Sequence, residues 1–512
     1  MPGPFPTKSV VLQPSDGTDG LVPQTEALRV SVSPGVVSRI WGTDSTGAHV
    51  QQTYSHGGLL VAPPAGFGWD FTTYPVNIYK DGPRHFTTDF DHRSIVPSDV
   101  WNGPVYYVSP TGNNANAGTS PATAVRSLWK ARVLLEASAS PGGIIMALVD
   151  PTLGYTWWDR TNDFNDTANA GGTGGNTVPT KPFALMSYGG KSYLGAIHNT
   201  SWTYDATSKT YSMTRSAVAT VVDISSLSNW GVFKRLTKIT AGADLAATRT
   251  LVGAAPGSYA VTAANDVVVR LETDAVVSDA TVRVVLSNDA FKPGAVSAYV
   301  SDFNFVGGVN GVVNATATAT RNLAFDGCSA GFGGIDLGAK ANSWGFNNST
   351  GLIVLRKCSA ASGQNDLFNF HQTAGSVNAL MIDCSGIDAG RAGSSPVSLS
   401  NQIVTAHENV RLLTINTDGS YSSGGCVRSI GTSQHWDLGS TYSYDRGDVR
   451  YAGGSVNSIG VGMNESTKYW GDSITVQGCM NTFYAESGAQ IYLRAPIEIG
   501  GVRAGAGLIT SY

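Results

Sequence analysis

Residues 363 to 445 hold the densest set of acids, bases and amides on the repetitive part of this chain, and their types suit acid–base work on a sugar polymer. Gly363-Gln-Asn-Asp366-Leu-Phe-Asn369-Phe-His371 sets a carboxylate, an amide and an imidazole among apolar aromatics. After it come Asp383, Asp388, Arg391, the adjacent His407-Glu408, Arg428 and His435-Trp436-Asp437. Hydrolysis of a glycosidic bond needs two carboxyl groups, one protonated and one acting as nucleophile or as base for water. Asp366 with Glu408 or Asp383 supplies that set. Elimination next to a uronic carboxylate needs a base, with cations or amides to hold the charge that develops. His371 or His407 as base, with Arg391 or Arg428, supplies that one.

The candidates are therefore Asp366, His371, His407 and Glu408 for catalysis, with Asn369, Asp388, Arg391, Arg428 and Trp436 for substrate contact. Each has a plainer reading beside it. Asp383 and Asp388 suit turns, where a short carboxylate caps backbone groups. His371 and His435 suit hydrogen-bonded packing. Trp436, Trp470 and Tyr444 suit either a sugar platform or the core. Alternation along a strand puts Asp366, Phe368 and Phe370 on one side and Leu367, Asn369 and His371 on the other. Asp366 and His371 converge only if the run bends.

No cofactor or metal is expected. The acidic run Asp159-Arg-Thr-Asn-Asp163-Phe-Asn-Asp166 lacks the alternation, Gly and terminal Glu of a calcium loop, so a divalent cation has no support. Gly171-Gly-Thr-Gly-Gly lacks the strand and helix of a phosphate cradle, and no cysteine–histidine spacing fits zinc.

The elements that must position these residues show in a repeated line: Asn322-Leu-Ala-Phe-Asp-Gly-Cys328, Leu352-Ile-Val-Leu-Arg-Lys-Cys358, Asn378-Ala-Leu-Met-Ile-Asp-Cys384 and Ser473-Ile-Thr-Val-Gln-Gly-Cys479. Apolar residues stand five and three places before each cysteine. This predicts a short strand, a bend, and a cysteine turned inward. The cysteine gaps of 30 and 26 residues fit one solenoid turn each, and the gap of 95 fits several. Asn409-Val-Arg-Leu-Leu-Thr-Ile415 reads as a further coil with Ile in the cysteine slot. The cysteines are expected to be reduced core thiols, near enough to oxidise between neighbouring coils.

Ahead of the coils, Val125-Arg-Ser-Leu-Trp-Lys-Ala131-Arg-Val-Leu-Leu135-Glu-Ala has helical spacing, and it is the one substantial helix expected. A helix over about 123–138 caps the open end of a solenoid. Residues 104–194 then hold this helix and the first rungs, starting at Gly143-Ile-Ile-Met-Ala-Leu-Val149. Residues 195–290 read as an antiparallel β-insert containing a hairpin over 201–214. The main coils run over 291–512, and residues 1–103 read as a separate attachment or accessory module.

The stretches Tyr106-Tyr-Val-Ser-Pro-Thr-Gly-Asn113, Gly118-Thr-Ser-Pro121 and Ser127-Leu-Trp-Lys-Ala131, with the rung that follows, resemble the opening segment of right-handed parallel β-helix proteins of the pectate-lyase-like superfamily, phage tailspikes among them. With the later coils the resemblance spans about three fifths of the chain, and it speaks to fold more than to activity. Asp366-Leu-Phe-Asn-Phe-His371 and Thr405-Ala-His407-Glu408 resemble segments of phage-type members. The resemblance implies an all-β, right-handed parallel β-helix solenoid, a homotrimer with coils side by side, attachment to a phage tail or baseplate through the N-terminal module, and a bacterial surface polysaccharide as partner. It leaves open a depolymerase, a non-catalytic receptor-binding spike, and an exported bacterial polysaccharide lyase.

Composition excludes other classes. The 512 residues are 42% hydrophobic and 14% charged, with 61 Gly, too apolar for a disordered chain. A net charge of −4 gives no basic footprint for nucleic acid. Leu59-Leu-Val-Ala-Pro-Pro is too short and too broken to insert in a membrane. Met1-Pro-Gly-Pro-Phe-Pro-Thr-Lys does not read as a secretory signal, so the expected location is a virion, or the exterior by a route without one.

Overall fold

The computed structural model describes residues 37–43, 49–55, 58–159, 164–165, 178–197, 201–227, 233–287, 289–309, 311–316, 318–334, 341–390, 401–445 and 458–512. Among these, the chain winds into a parallel β-helix whose coils each lay one short strand on each of three faces. One coil shows the order: Ser349–Arg356 ends on the first face, Ser359–Gly363 lies on the second, residues 368–372 lie on the third, and residues 377–382 return to the first. Pairing between coils is parallel and in register, as in Leu352 with Asn378, Ala360 with Gly386, and Asn369 with Thr405.

The corners explain the spacing seen in the sequence. Between the first and second faces each coil turns through a left-handed residue, among them Asp302, Gly327, Lys357, Asp383 and Asn416, with φ between 50° and 63°. Between the second and third faces Phe332, Ser362, Asp388, Tyr421, Tyr444 and Gly478 do the same. One residue in this region of φ/ψ turns a strand through a corner without a long loop. Gly, Asn and Asp bear it most readily.

Three cysteines stack as expected. Cys328, Cys358 and Cys384 precede Ser329, Ser359 and Ser385, which pair with one another along the second face. Each thiol donates to a carbonyl one coil back, Val300, Phe325 and Leu355 in turn, at 3.3 to 3.5 Å. All five cysteines are buried and free. Two details of the sequence reading are corrected. Ile415 pairs with Ile382, so the cysteine slot on that coil belongs to Thr417, followed by Ser440 and Ile474 on the next coils. Cys479 follows a second-face strand and shares the other corner with Cys426. Their thiols donate to the carbonyls of Gln477 and Ser443, which are themselves paired across coils. The cause is that inside–outside alternation is the same on every face, so a strand ending in Gly-Cys does not say which corner it reaches.

The open N-terminal end is capped by helix Leu128–Ala137, whose first turn is capped by the Ser127 hydroxyl. Leu128, Ala131 and Leu135 pack with Ile145 and Ala147 of the strand Gly143–Leu148. It is not the only substantial helix, because Leu245–Gly253 forms a second, capped by Asp244. That helix belongs to two mostly antiparallel sheets between Ala196 and Leu286, which include the hairpin Thr203–Asp205 with Thr210–Thr214.

Residues 58–103 are not set apart from the coils. They run as an arm along the first face, where Phe67, Trp69, Val76, Ile78, Phe86, Ile95, Val96 and Val100 cover outward-pointing Tyr299, Leu352, Val354, Leu380, Leu413 and Trp436. Polar ties fix the path: the Gly68 amide donates to Gln434 Oε1 at 2.6 Å, Lys80 Nζ meets Asp472 at 3.3 Å, and Asn322 Nδ2 donates to the Ile95 carbonyl at 2.8 Å. Leu352-Ile-Val-Leu355 has no polar side, so these strands demand cover on both faces. Burying each large side chain contributes about 1.5–3 kcal/mol. Among the described residues no helix is long and apolar enough to cross a membrane.

Candidate functional site

The third face carries the site. Its inward residues form a stacked aromatic floor, with Trp344 over Phe368 at 6.4 Å and 6°, and Phe346 over Phe370 at 5.3 Å and 9°. That floor fixes which residues point out. In register across the coils the outward positions form two rows: Asn314, Gly345, Asn369, Thr405, Arg428, Gly462 and Tyr484, and beside them Asn347, His371 and His407. Gly345 and Gly462 add no side chain to the row on either side of Asn369, Thr405 and Arg428.

Asp366 reaches this face because the chain does bend. Residues 364–367 depart from strand geometry, so Leu367 and Phe368 both point into the core. The Asp366 carbonyl accepts from the Ser343 amide at 3.0 Å, and its carboxyl accepts from the Gln402 amide at 2.9 Å. Burial pushes the Asp366 pKa up to about 7, against the opposing pull of the Gln402 amide, the Thr405 hydroxyl and the Arg428 charge. A carboxyl that holds its proton near neutrality is a proton donor in waiting.

His371 and His407 occupy paired positions on consecutive coils, rings edge to face at 5.5 Å. Burial, then His371, then Arg428 lower the His407 pKa to about 4. His407 is therefore a neutral imidazole across the physiological range, able to accept a proton. Arg428 is oriented by Asn464, whose Oδ1 accepts from Nε at 3.1 Å. Asn369 Nδ2 approaches Asn347 Oδ1 at 3.4 Å, and Asn369 Oδ1 has no partner among the described residues.

The structure thus gathers Asp366, Asn369, His371, His407 and Arg428 on one face. Glu408 lies at the far end of the strand, exposed, at a corner with φ of 63°. Thr405 lies beside Asp366 and three residues before Glu408, about 10 Å along an extended strand. Asp383 sits at another corner, accepting from Asn416 Nδ2 at 3.0 Å. Asp388 is buried at the end of a second-face strand, where it accepts from the Ser362 hydroxyl at 3.0 Å. Trp436 is no platform: it is fully buried under the arm, edge-on to Phe67 at 5.7 Å. His435 and Asp437 point the other way into the core, where Asp437 accepts from Thr414, Tyr442 and Tyr469 at 2.7 to 2.9 Å. Arg391 lies outside the described residues. Sequence reasoning missed Gln402, Thr405, Asn347 and Asn464, which only the register between coils brings to the site. Among the described residues no group of three or more His, Cys, Asp or Glu is placed to hold a metal ion.

No protein-family profile and no curated protein matches the chain. Solved structures similar to it include the crystal structure of pectate lyase Pel9A, with 12% identity over 82% of this chain and 81% of that one and a TM-score of 0.41. A glycoside hydrolase matches with 9% identity over 80% of this chain and 96% of that one, TM-score 0.39. A rhamnogalacturonan lyase matches with 8% identity over 77% and 73%, TM-score 0.31. At these values the likenesses carry no argument about activity.

Proposed function

We propose that the chain binds a polysaccharide along the third face and cleaves it by elimination, with His407 as the base and Asp366 as the acid. The observation that carries this is the placing of a neutral imidazole, a proton-holding carboxyl and an arginine on neighbouring coils of one face. Arg428 holds the charge that develops on a substrate carboxylate, His407 takes the adjacent proton, and Asp366 returns one to the leaving oxygen. The hydrolytic pair of Asp366 and Glu408 is less favoured, because Glu408 stands at the corner, about 10 Å along the strand from the Thr405 that adjoins Asp366, wider than the spacing of a retaining pair.

The test is incubation with polygalacturonate, alginate, xylan and purified bacterial capsular polysaccharides, reading viscosity, unsaturated product and new reducing ends. Loss of viscosity with an unsaturated product supports elimination. Reducing ends without unsaturation assign hydrolysis instead. Binding without any cleavage leaves the receptor-binding reading and removes the catalytic one.

The finer reading is a phage tailspike or related particle-borne protein acting on a bacterial surface glycan, as a homotrimer. It is supported by the resemblance of residues 106–131 and 366–371 to that group. A solution mass three times the 53.4 kDa chain supports the trimer, and a monomer mass favours an exported bacterial enzyme.

A further inference from the structure

Gln402 ties three coils together from just before the strand Val404–Ile415. It is buried, at 2% exposure, so its polar atoms need partners within the protein. The main-chain amide donates to Asp366 Oδ1 at 2.9 Å on the coil before, and Nε2 donates to the Gly424 carbonyl at 2.9 Å on the coil after. The second bond fixes the side chain's orientation, because a carbonyl accepts only from its NH2 end. Oε1 is thereby turned to Thr405, whose hydroxyl donates to it at 3.4 Å.

The Thr405 hydroxyl, itself fully buried, also stands within hydrogen-bonding reach of the Asp366 carboxyl. A hydroxyl has one proton to give and two lone pairs that accept. While Thr405 gives its proton to Gln402, it accepts from Asp366, and only a protonated carboxyl has a hydrogen to donate. Once Asp366 ionises, the carboxylate and Gln402 Oε1 compete for the one Thr405 proton. The amide therefore weights the balance toward the neutral acid.

Arg428 pulls the other way. Of the other titratable groups nearby, Asp388 on the strand before the corner accepts from the Ser362 hydroxyl at 3.0 Å, His371 and His407 belong to the neighbouring row, and Glu408 stands at the far corner. The strand Asn342–Asn347, on the coil before, brings no titratable group.

We propose that Gln402 is a positioning residue that keeps Asp366 protonated, acting through the Thr405 hydroxyl, which donates to Gln402 while the acid is neutral and turns to the carboxylate once it ionises. The catalytic consequence rests on the reading of Asp366 as the acid of the third face. When Asp366 gives its proton to the leaving oxygen, the Thr405 hydrogen stays on its own oxygen and rotates toward the new carboxylate. No heavy atom has to move.

The experiment first reads Asp366 without substrate. Urea unfolding of the full chain is followed against pH for the wild type, T405V, T405S, Q402M and T405V/Q402M, each compared with the same protein carrying D366N. In the wild type the difference falls away as pH rises through about 7. T405V takes a donor from the carboxylate and should raise that midpoint by about one pH unit, since a bond to a charged group outweighs one to a neutral group. Q402M frees the Thr405 proton for the carboxylate and should lower the midpoint by about one unit. Added to T405V, Q402M should shift nothing, because the link is gone. T405S keeps the hydroxyl and should stay near the wild type. An unmoved midpoint in T405V or Q402M, or shifts of the same sign in both, overturns the proposal. Should Q402M fail to fold, T405V against T405S still decides, and equal midpoints in those two overturn it. The alkaline limb of cleavage is then measured in the same variants and should follow the midpoints. Midpoints that move while the limb stays leave Gln402 and Thr405 in this role and remove Asp366 as the acid.

Discussion

His371 and His407 meet edge to face at 5.5 Å from paired positions on neighbouring coils, and that contact helps to keep His407 neutral. An imidazole with a pKa near 4 and a carboxyl with a pKa near 7 have their charge states inverted between those limits: the histidine is neutral while the acid keeps its proton.

Cleavage should therefore follow a bell. Activity rises with pH through about 4 as His407 loses its proton, and falls above about 7 as Asp366 loses its own. D366N is expected to lower the maximum and remove the alkaline limb. An alkaline limb that persists in D366N assigns it to another group. Replacing His371 with Gln relieves its repulsion of a protonated His407 and should move the acid limb upward.

Asp366 also makes a stability prediction. Its folded-state pKa lies above the ordinary 3.8, so the fold favours the neutral form. The stability it contributes is whole below 3.8 and is lost as pH rises through about 7. Urea unfolding should show the wild type weakening over that window by up to a few kcal/mol. D366N should not share the loss, and an identical slope in both proteins would contradict the buried protonated carboxyl.

Phe67 and Trp436 test the arm. Phe67→Ala removes a ring edge-on to Trp436 at 5.7 Å and to Trp470 at 5.8 Å, and should cost about 3 kcal/mol. Trp436→Ala should cost as much. Neither should change polysaccharide affinity measured well below the melting temperature, since both rings lie on the first face. A selective loss of affinity in Trp436→Ala would restore that residue as a sugar contact.

The thiols give a simple count. In the native protein a water-soluble thiol reagent should react slowly or not at all, and in denaturant it should find five thiols. Cys384→Ser should cost about 1 kcal/mol, because Thr417 and Ser440 already fill the same slot on later coils. Cys384→Leu overpacks the stack and should cost more, about 1–3 kcal/mol.

The coils were legible because strand, bend and buried cysteine repeat in Leu323 to Cys328, Ile353 to Cys358 and Ala379 to Cys384. The same logic misplaced Cys479, since alternation carries no label for the face it serves. The site was legible as a list of types. Asp366, Asn369, His371, His407 and Arg428 come together, whereas Asp388 and Trp436 belong to a corner and to the covered face. What separated them is the register between coils and the bend at 364–367, and both are set by contacts far apart in sequence. Nor did Phe67 or Trp69 announce an arm. The cue lay in first-face strands such as Leu352-Ile-Val-Leu355, which are apolar on both sides and so require a cover.

The most direct test of the central claim is the rate of chain cleavage, on whichever polysaccharide the wild type thins, by the single variants D366N, H407Q and R428A, with binding measured in parallel. Each of the three should lose cleavage by about a hundredfold or more, while D366N and H407Q still bind the polymer. Cleavage at the wild-type rate in H407Q or D366N would contradict the assignment of the third face as the catalytic site.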